Sequence, residues 1–123
     1  MHKVLIVDDE PDILELMQED FESEGFNVNT ARSGNEALQV LKEDSSYQII
    51  ISDYKMSDGS GAVILDFINR LESKRPLFYF VSGQADMTTS EAQSYGANRF
   101  FYKPFDIDQL IIQVKDDLKK EGL

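Results

Sequence analysis

Apolar residues fall along the chain in two alternating rhythms. Lys3–Val7 (KVLIV) is a short apolar run rich in β-branched residues, as in a strand buried on both faces. Pro11 stands where a first helical turn can begin; Ile13, Leu14, Met17 and Phe21 follow at helical spacing, and Gly25 suits the stop. Phe26–Thr30 alternates apolar and polar positions and predicts a strand nearer the sheet edge. Ser33-Gly34-Asn35-Glu36 has capping-box spacing ahead of Ala37, Leu38 and Leu41. Tyr47–Ser52 (YQIIIS) predicts a second buried strand that runs directly into Asp53. Asp58-Gly59-Ser60-Gly61 predicts a loop, and Val63, Ile64, Phe67, Ile68 and Leu71 a helix after it. Leu77–Val81 (LFYFV) is another apolar strand. Thr88 and Glu91 can cap the next helix, whose only apolar positions before Gly96 are Ala92 and Tyr95; it is expected to be short and mobile. Asn98–Tyr102 predicts the last strand, and Asp106 caps a final helix with Ile107, Leu110, Ile111, Val114 and Leu118 on one face.

The pattern contains five strands alternating with five helices, without a repeat, a low-complexity stretch or a linker. Such alternation implies right-handed βαβ crossovers and a parallel sheet with helices on both faces. The length of 123 residues fits a single domain over 1–123. In sheets of this kind ligands bind beyond the carboxyl ends of the strands, near the point where strand order reverses.

Composition narrows the partners. Twelve Lys and Arg against twenty-three Asp and Glu give a formal charge of −11. That charge repels the phosphate backbone of nucleic acid and an anionic membrane surface. A hydrophobic content of 41% is that of a chain with a core, not of a disordered acidic tail. There are no cysteines, which excludes disulfides, thiolate metal sites and Cys nucleophiles. No apolar run reaches the roughly 18 residues a membrane span needs. The apolar stretch before Asp8 is too short for a signal peptide, so a cytoplasmic location is the expectation. The only histidine, His2, reads as a surface residue, and Met17, Met56 and Met87 as packing or loop residues. Much of the acid, including Glu15, Glu19, Glu22, Asp116 and Asp117, is expected to lie on helix faces and solvate the domain.

The residues that follow the strands carry the chemistry. Asp8, Asp9 and Glu10 follow the first strand, Asp53 the third, Ser82 and Gly83 the fourth, and Lys103 and Pro104 the fifth. Taken singly each is ordinary: an acidic pair suits a helix N-terminus, and a lone lysine is usually solvated. Together they put three aspartates, a hydroxyl and an ammonium at one edge of one sheet. Gathered carboxylates need a cation, and oxygen ligands without His or Cys select a hard ion such as Mg²⁺. A carboxylate can attack phosphorus to give an aspartyl phosphate. Mg²⁺ would offset the charge of the incoming group, and Lys and Ser would bind its oxygens as donors.

The segments VLIVDDEPD (4–12), IIISDYKMSDGSG (49–61), FVSGQ (80–84) and FYKPF (101–105) resemble a receiver domain of a two-component response regulator, over essentially the whole chain. The resemblance implies a flavodoxin-like, doubly wound α/β fold with a five-stranded parallel sheet in the order 2-1-3-4-5. It matches Asp53 to the phosphoacceptor, and Asp8, Asp9 and the Lys55 backbone carbonyl to the Mg²⁺ contacts. Ser82 matches the switch hydroxyl, Lys103 the lysine that pairs with the phosphoryl group, and Phe100 the aromatic switch. A cis bond before Pro104 is implied as well. The implied donor is a phosphohistidine on a sensor kinase or a histidine phosphotransfer protein. The implied output is a changed surface on the fourth helix, last strand and last helix that acts on a downstream partner, an output module or a second copy of the chain. No turnover of a separate substrate is expected.

Two positions depart from the family pattern. Ser57 stands where a proline usually lies four residues after the phosphoacceptor, which removes a φ constraint. Phe100 replaces the commoner Tyr and has no hydroxyl, so any switch there works by packing. Lys55 and Gln84 occupy positions that line the water's approach in the family, and both are candidates for setting phosphoryl lifetime. The outward part of Phe100-Phe101-Tyr102, with Ile112, is a candidate partner patch. Three other readings compete. A phosphohydrolase with an aspartyl-phosphate intermediate wants a second aspartate where Lys55 stands. A flavodoxin-like nucleotide binder wants a Gly/Ser/Thr loop where Asp-Asp-Glu stands. A degenerate receiver that only binds would lack members of this strand-end set, and all are present.

Overall fold

The computed structural model describes residues 1–83 and 86–123. The elements alternate along the chain: β1 (Lys3–Val7), α1 (Pro11–Ser23), β2 (Asn27–Ala31), α2 (Gly34–Glu43), β3 (Ile49–Ser52), α3 (Gly61–Asn69), β4 (Leu77–Ser82), α4 (Thr89–Tyr95), β5 (Arg99–Tyr102) and α5 (Ile107–Lys120). The strands form one parallel sheet in the order β2-β1-β3-β4-β5. Strand order therefore reverses at β1, between β2 and β3. The parallel sheet is the one the alternation implied, and its strand order is the doubly wound, flavodoxin-like order that the family resemblance implied.

Alternate side chains of each strand feed two cores. Val4, Ile6, Ile49, Ile51 and Tyr79 join Leu14, Met17 and Phe21 of α1 and Leu110, Val114 and Leu118 of α5 on one face. Leu5, Val7, Ile50, Phe78 and Phe80 join Ala37, Leu41, Ile64, Leu65, Ile68 and Ala92 on the other. The period of two within each strand and 3.6 within each helix makes this division automatic.

Element ends differ in detail from the sequence pattern. Strand β2 is shifted by one residue, and β3 begins at Ile49, not Tyr47. Tyr47 is nonetheless buried, and its hydroxyl accepts from Asn29 Nδ2 at 2.7 Å, so the side chain follows the pattern although the backbone does not pair. Asn98 precedes β5 because its side-chain oxygen accepts the Phe78 N–H, while its own N–H goes to the Phe78 carbonyl. At α2 only half of the capping box forms. Ser33 Oγ accepts from the Glu36 N–H at 3.0 Å, but the Glu36 carboxylate turns to the Arg32 N–H. The box at α4 closes in both directions between Thr88 and Glu91.

Asp117 overturns an expectation. It is not a solvating charge on a helix face but a buried one. It accepts from the Tyr79 hydroxyl, from Arg99 Nε and Nη2 at 2.9 and 3.0 Å, and from Gln113 Nε2 at 3.0 Å. Burial pushes its carboxyl up, but the Arg99 guanidinium and the Tyr79 and Gln113 donors outweigh burial and hold it below the ordinary value. Burial and the Asp117 charge together drive the Tyr79 phenol well up.

Candidate functional site

Strand register carries the chemical groups to one place. Val7 pairs with Ser52, and Ser52 with Phe80, so β1 and β3 end side by side and β4 runs two residues further. The Asp8 N–H continues the ladder to Ala31 and the Asp53 N–H to Val7, while the Lys103 N–H closes on the Ser82 carbonyl. Asp8, Asp53, Ser82 and Lys103 thus sit at the carboxyl edge of the sheet, beside the reversal of strand order, where ligands bind in this class of fold. The loop after β3 is drawn tight above them. Gly61 donates to the Tyr54 carbonyl at 2.8 Å, and a Cβ on Gly61 would lie 2.4 Å from the Asp53 carbonyl oxygen, so only glycine fits. Gly59 has φ +91°, which also favours glycine.

Asp53 lies at the floor and is buried. Its Oδ1 accepts from Ser82 Oγ at 2.9 Å and from the Tyr54 N–H at 2.7 Å; its Oδ2 accepts from Lys103 Nζ at 2.9 Å. The same ammonium donates to Asp8 Oδ2 at 2.9 Å and lies 3.8 Å from Glu10. Asp8 is buried, and its other oxygen accepts the Glu10 N–H at 2.9 Å. Burial pushes the Asp8 carboxyl above its ordinary value, against the pull of the Glu10 N–H and the Lys103 ammonium. Burial works against the Lys103 ammonium, but its bonds to Asp53 and Asp8 outweigh burial and raise it. Two close carboxylates share one cation, so the cluster is charge-dense and formally keeps one negative charge in excess.

Asp9 completes an acidic group. It is exposed, and Asp8, Asp9 and Asp53 each offer an oxygen within 4.8 Å of one another. Three carboxylate oxygens without a nitrogen or sulfur donor suit a hard divalent ion such as Mg²⁺, which keeps waters in its remaining positions. A cleft of about 540 Å³ opens over the cluster, lined by Asp9, Asp53, Lys55, Ser57, Asp86 and Lys103 among others. Its floor is polar and charged, and it is open enough for a phosphate-sized group.

The remaining sequence candidates are distributed around this centre. Phe100 is half-buried, packs on the α2–α4 side of the sheet and meets the Tyr102 ring edge-on at 4.7 Å. Phe101 points to the opposite core, against Tyr79 at 5.7 Å, so the aromatic run divides between faces as alternation requires. Ile112 is 59% exposed. The Lys103–Pro104 bond is cis. The Lys55 side chain stands at the rim of the cleft, and Gln84 lies outside the described residues. Two residues around the site escape sequence reading. The Tyr54 backbone binds Asp53, and its ring meets Phe80 at 5.9 Å and Tyr95 of α4 at 6.1 Å. Asp86 faces Lys55 across the cleft. A backbone donor leaves no sequence signal, and a pair 31 positions apart has no local spacing to reveal it.

Comparisons with known proteins agree with this geometry. The family profile described as "Response regulator receiver domain" matches residues 4–115. Response regulator SaeR of Staphylococcus aureus is 32% identical over 120 residues, which cover 98% of this chain and 52% of that protein. The chain therefore spans about half the length of the curated relatives it matches. Among solved structures, a response regulator receiver domain protein from Clostridium thermocellum superposes with a TM-score of 0.89 at 28% identity, covering 99% of this chain and 98% of that one. Response regulator protein TrrA from Thermotoga maritima, solved in complex with Mg²⁺–BeF, gives 0.82 at 31% identity, covering 94% and 98%. With its sheet order, its strand-end residues and a family match over nearly its full length, this chain belongs to the response regulator receiver domain family.

Proposed function

We propose that residues 1–123 form one receiver unit that accepts a phosphoryl group on Asp53 from a phosphohistidine, carried by a sensor kinase or a histidine phosphotransfer protein. The observation that carries this reading is the Asp53 carboxylate itself. It is buried at the floor of an open cleft, with Ser82 and the Tyr54 N–H on one oxygen and the Lys103 ammonium on the other. An Asp53 oxygen attacks phosphorus as the bond to the histidine nitrogen breaks, and the imidazole leaves with the electron pair. Lys103 stays within reach of the phosphoryl oxygens, and Ser82 Oγ shifts its donation from the carboxylate to the new group. Asp8, Asp9, Asp53 and the Lys55 carbonyl are the residues that would hold Mg²⁺, which supplies charge neutralisation for the transfer.

The phosphoryl group adds about −1.5 to −2 charge at Asp53. Ser82 pairs in register with Tyr102, and Phe100 lies two residues before it, so a shift at Ser82 bears on β5 and the α4 beside it. The α4–β5–α5 face then acts on a downstream protein, an output module or a second copy of the chain. Lys55 and Gln84 adjust how long the phosphoryl group survives.

Incubation with Mg²⁺ and a small phosphodonor such as acetyl phosphate, followed by intact mass measurement, tests the proposal. One phosphoryl group per chain is expected, with none on Asp53→Asn. A protein that takes up no phosphoryl group, or an Asp53→Asn variant that still does, overturns it.

A further inference from the structure

The turn after β4 brings a carboxylate to the mouth of the cleft for which the proposed reaction has no use. The Asp86 N–H donates to the Gly83 carbonyl at 3.1 Å, directly after Ser82, and Asp86 Oδ1 lies 4.0 Å from Lys55 Nζ. The two residues come from different loops, one after β3 and one after β4, and both line the cleft that holds Asp53. The site's cations are divided by depth. Lys103, 17% exposed, sits at the floor between Asp8 and Asp53, whereas Lys55, 77% exposed, reaches across the rim to Asp86.

We propose that Asp86 is a positioning residue whose carboxylate holds the Lys55 side chain across the mouth of the cleft, so that the bridge shields a phosphoryl group on Asp53 from water. The inference rests on the reading of Asp53 as the phosphoacceptor. In hydrolysis the water oxygen bonds to phosphorus while the bond from phosphorus to the Asp53 oxygen breaks. The electron pair returns to the carboxylate, and a water proton passes to the departing phosphate. Attack runs in line, opposite the leaving oxygen. Asp53 is the buried floor, so that line points to the open mouth, where a lysine stem occupies the space a water needs. The pair is exposed, so its hold is modest and falls as salt screens it.

The test loads the parent, Asp86→Asn, Lys55→Gln and the double variant with acetyl phosphate and Mg²⁺, removes the donor, and follows the acyl phosphate by intact mass. The half-life is expected to shorten about two- to fivefold in Asp86→Asn, the range an exposed ion pair supplies. Lys55→Gln should shorten it by a similar factor, and the double variant no further than either single. High salt should shorten the parent's half-life and leave that of Asp86→Asn unmoved. A parent-like half-life in Asp86→Asn, or losses that multiply in the double variant, overturns the bridge while Asp53 remains the acceptor. Failure of the parent to load, or loading that survives Asp53→Asn, overturns the acceptor reading and the bridge with it.

Discussion

Two aspartates, Asp53 and Asp117, show how the same side chain is put to opposite ends. Both are buried and both receive several donors, but Asp53 faces an open cleft and Asp117 faces Tyr79. At Asp53 the donors leave the carboxylate reachable, and among the described residues Lys103 is the one cation that touches both it and Asp8. Lys103→Gln is therefore expected to slow loading from acetyl phosphate by about tenfold to a hundredfold, one charge-assisted hydrogen bond's worth. An unchanged loading rate would confine Lys103 to a structural part. At Asp117 the donors leave little of the carboxylate exposed. Arg99 is 42% exposed and partly screened, so the fully buried Tyr79 hydroxyl carries much of the energetic weight. Asp117→Asn is expected to cost about 2 kcal/mol in urea unfolding at neutral pH. The pH dependence has a definite sign. The native carboxyl is depressed below the unfolded value of 3.8, so its contribution is present above that value and is lost as pH falls through the native one. The difference between variant and parent should shrink in acid, and a difference that stays constant with pH would remove the ionic part of the account.

Among the elements, α4 depends most on contacts outside its own sequence. It has seven residues and one buried side chain, Ala92, too little to sustain a helix by propensity. Its start is held by the reciprocal Thr88–Glu91 cap and its end by Gly96 in the left-handed conformation. Arg75, from the approach to β4, then grips that end. It donates to the Gly96 carbonyl at 2.8 Å and to Asn69 and Asn98 side chains at 2.9 and 3.3 Å. Arg75→Ala should accelerate amide hydrogen exchange across residues 89–95 while β1 and β3 keep their protection. Equal acceleration everywhere would mean that Arg75 supports the whole fold instead. The cap was legible in the sequence because it is local, and so were β1 and β4, whose apolar runs need no partner to be recognised. The Arg75 clamp, the Arg99–Asp117 network and the turn of Glu36 away from Ser33 were not, because each is decided by a residue brought in by tertiary packing. The site stood between these cases. Asp8, Asp53 and Lys103 follow strands and Ser82 ends one, so strand alignment alone gathers them, whereas Tyr54 and Asp86 join through a backbone amide and a loop-to-loop contact.

For the molecule as a whole, the formal charge of −11 is spread widely but concentrated functionally at one point. Asp8 and Asp53 are already partnered by Lys103, which leaves Asp9 as the exposed member of the acidic group. Any divalent ion that enters adds a cation to this group and also relieves the self-repulsion of the whole chain. The two effects separate by comparing salts. At equal ionic strength, sodium chloride screens the general charge, whereas Mg²⁺ also binds at the site and stabilises by mass action, about 2.7 kcal/mol at a hundred times its dissociation constant. The thermal midpoint should therefore rise more in Mg²⁺ than in matched sodium chloride. Asp9→Asn removes an exposed carboxylate, so its midpoint without metal should stay near the parent's while the Mg²⁺ increment falls away. An increment equal to the parent's would show that Asp9 does not hold the ion. A rise matched by sodium chloride in the parent would show that screening, not a site, accounts for the stabilisation.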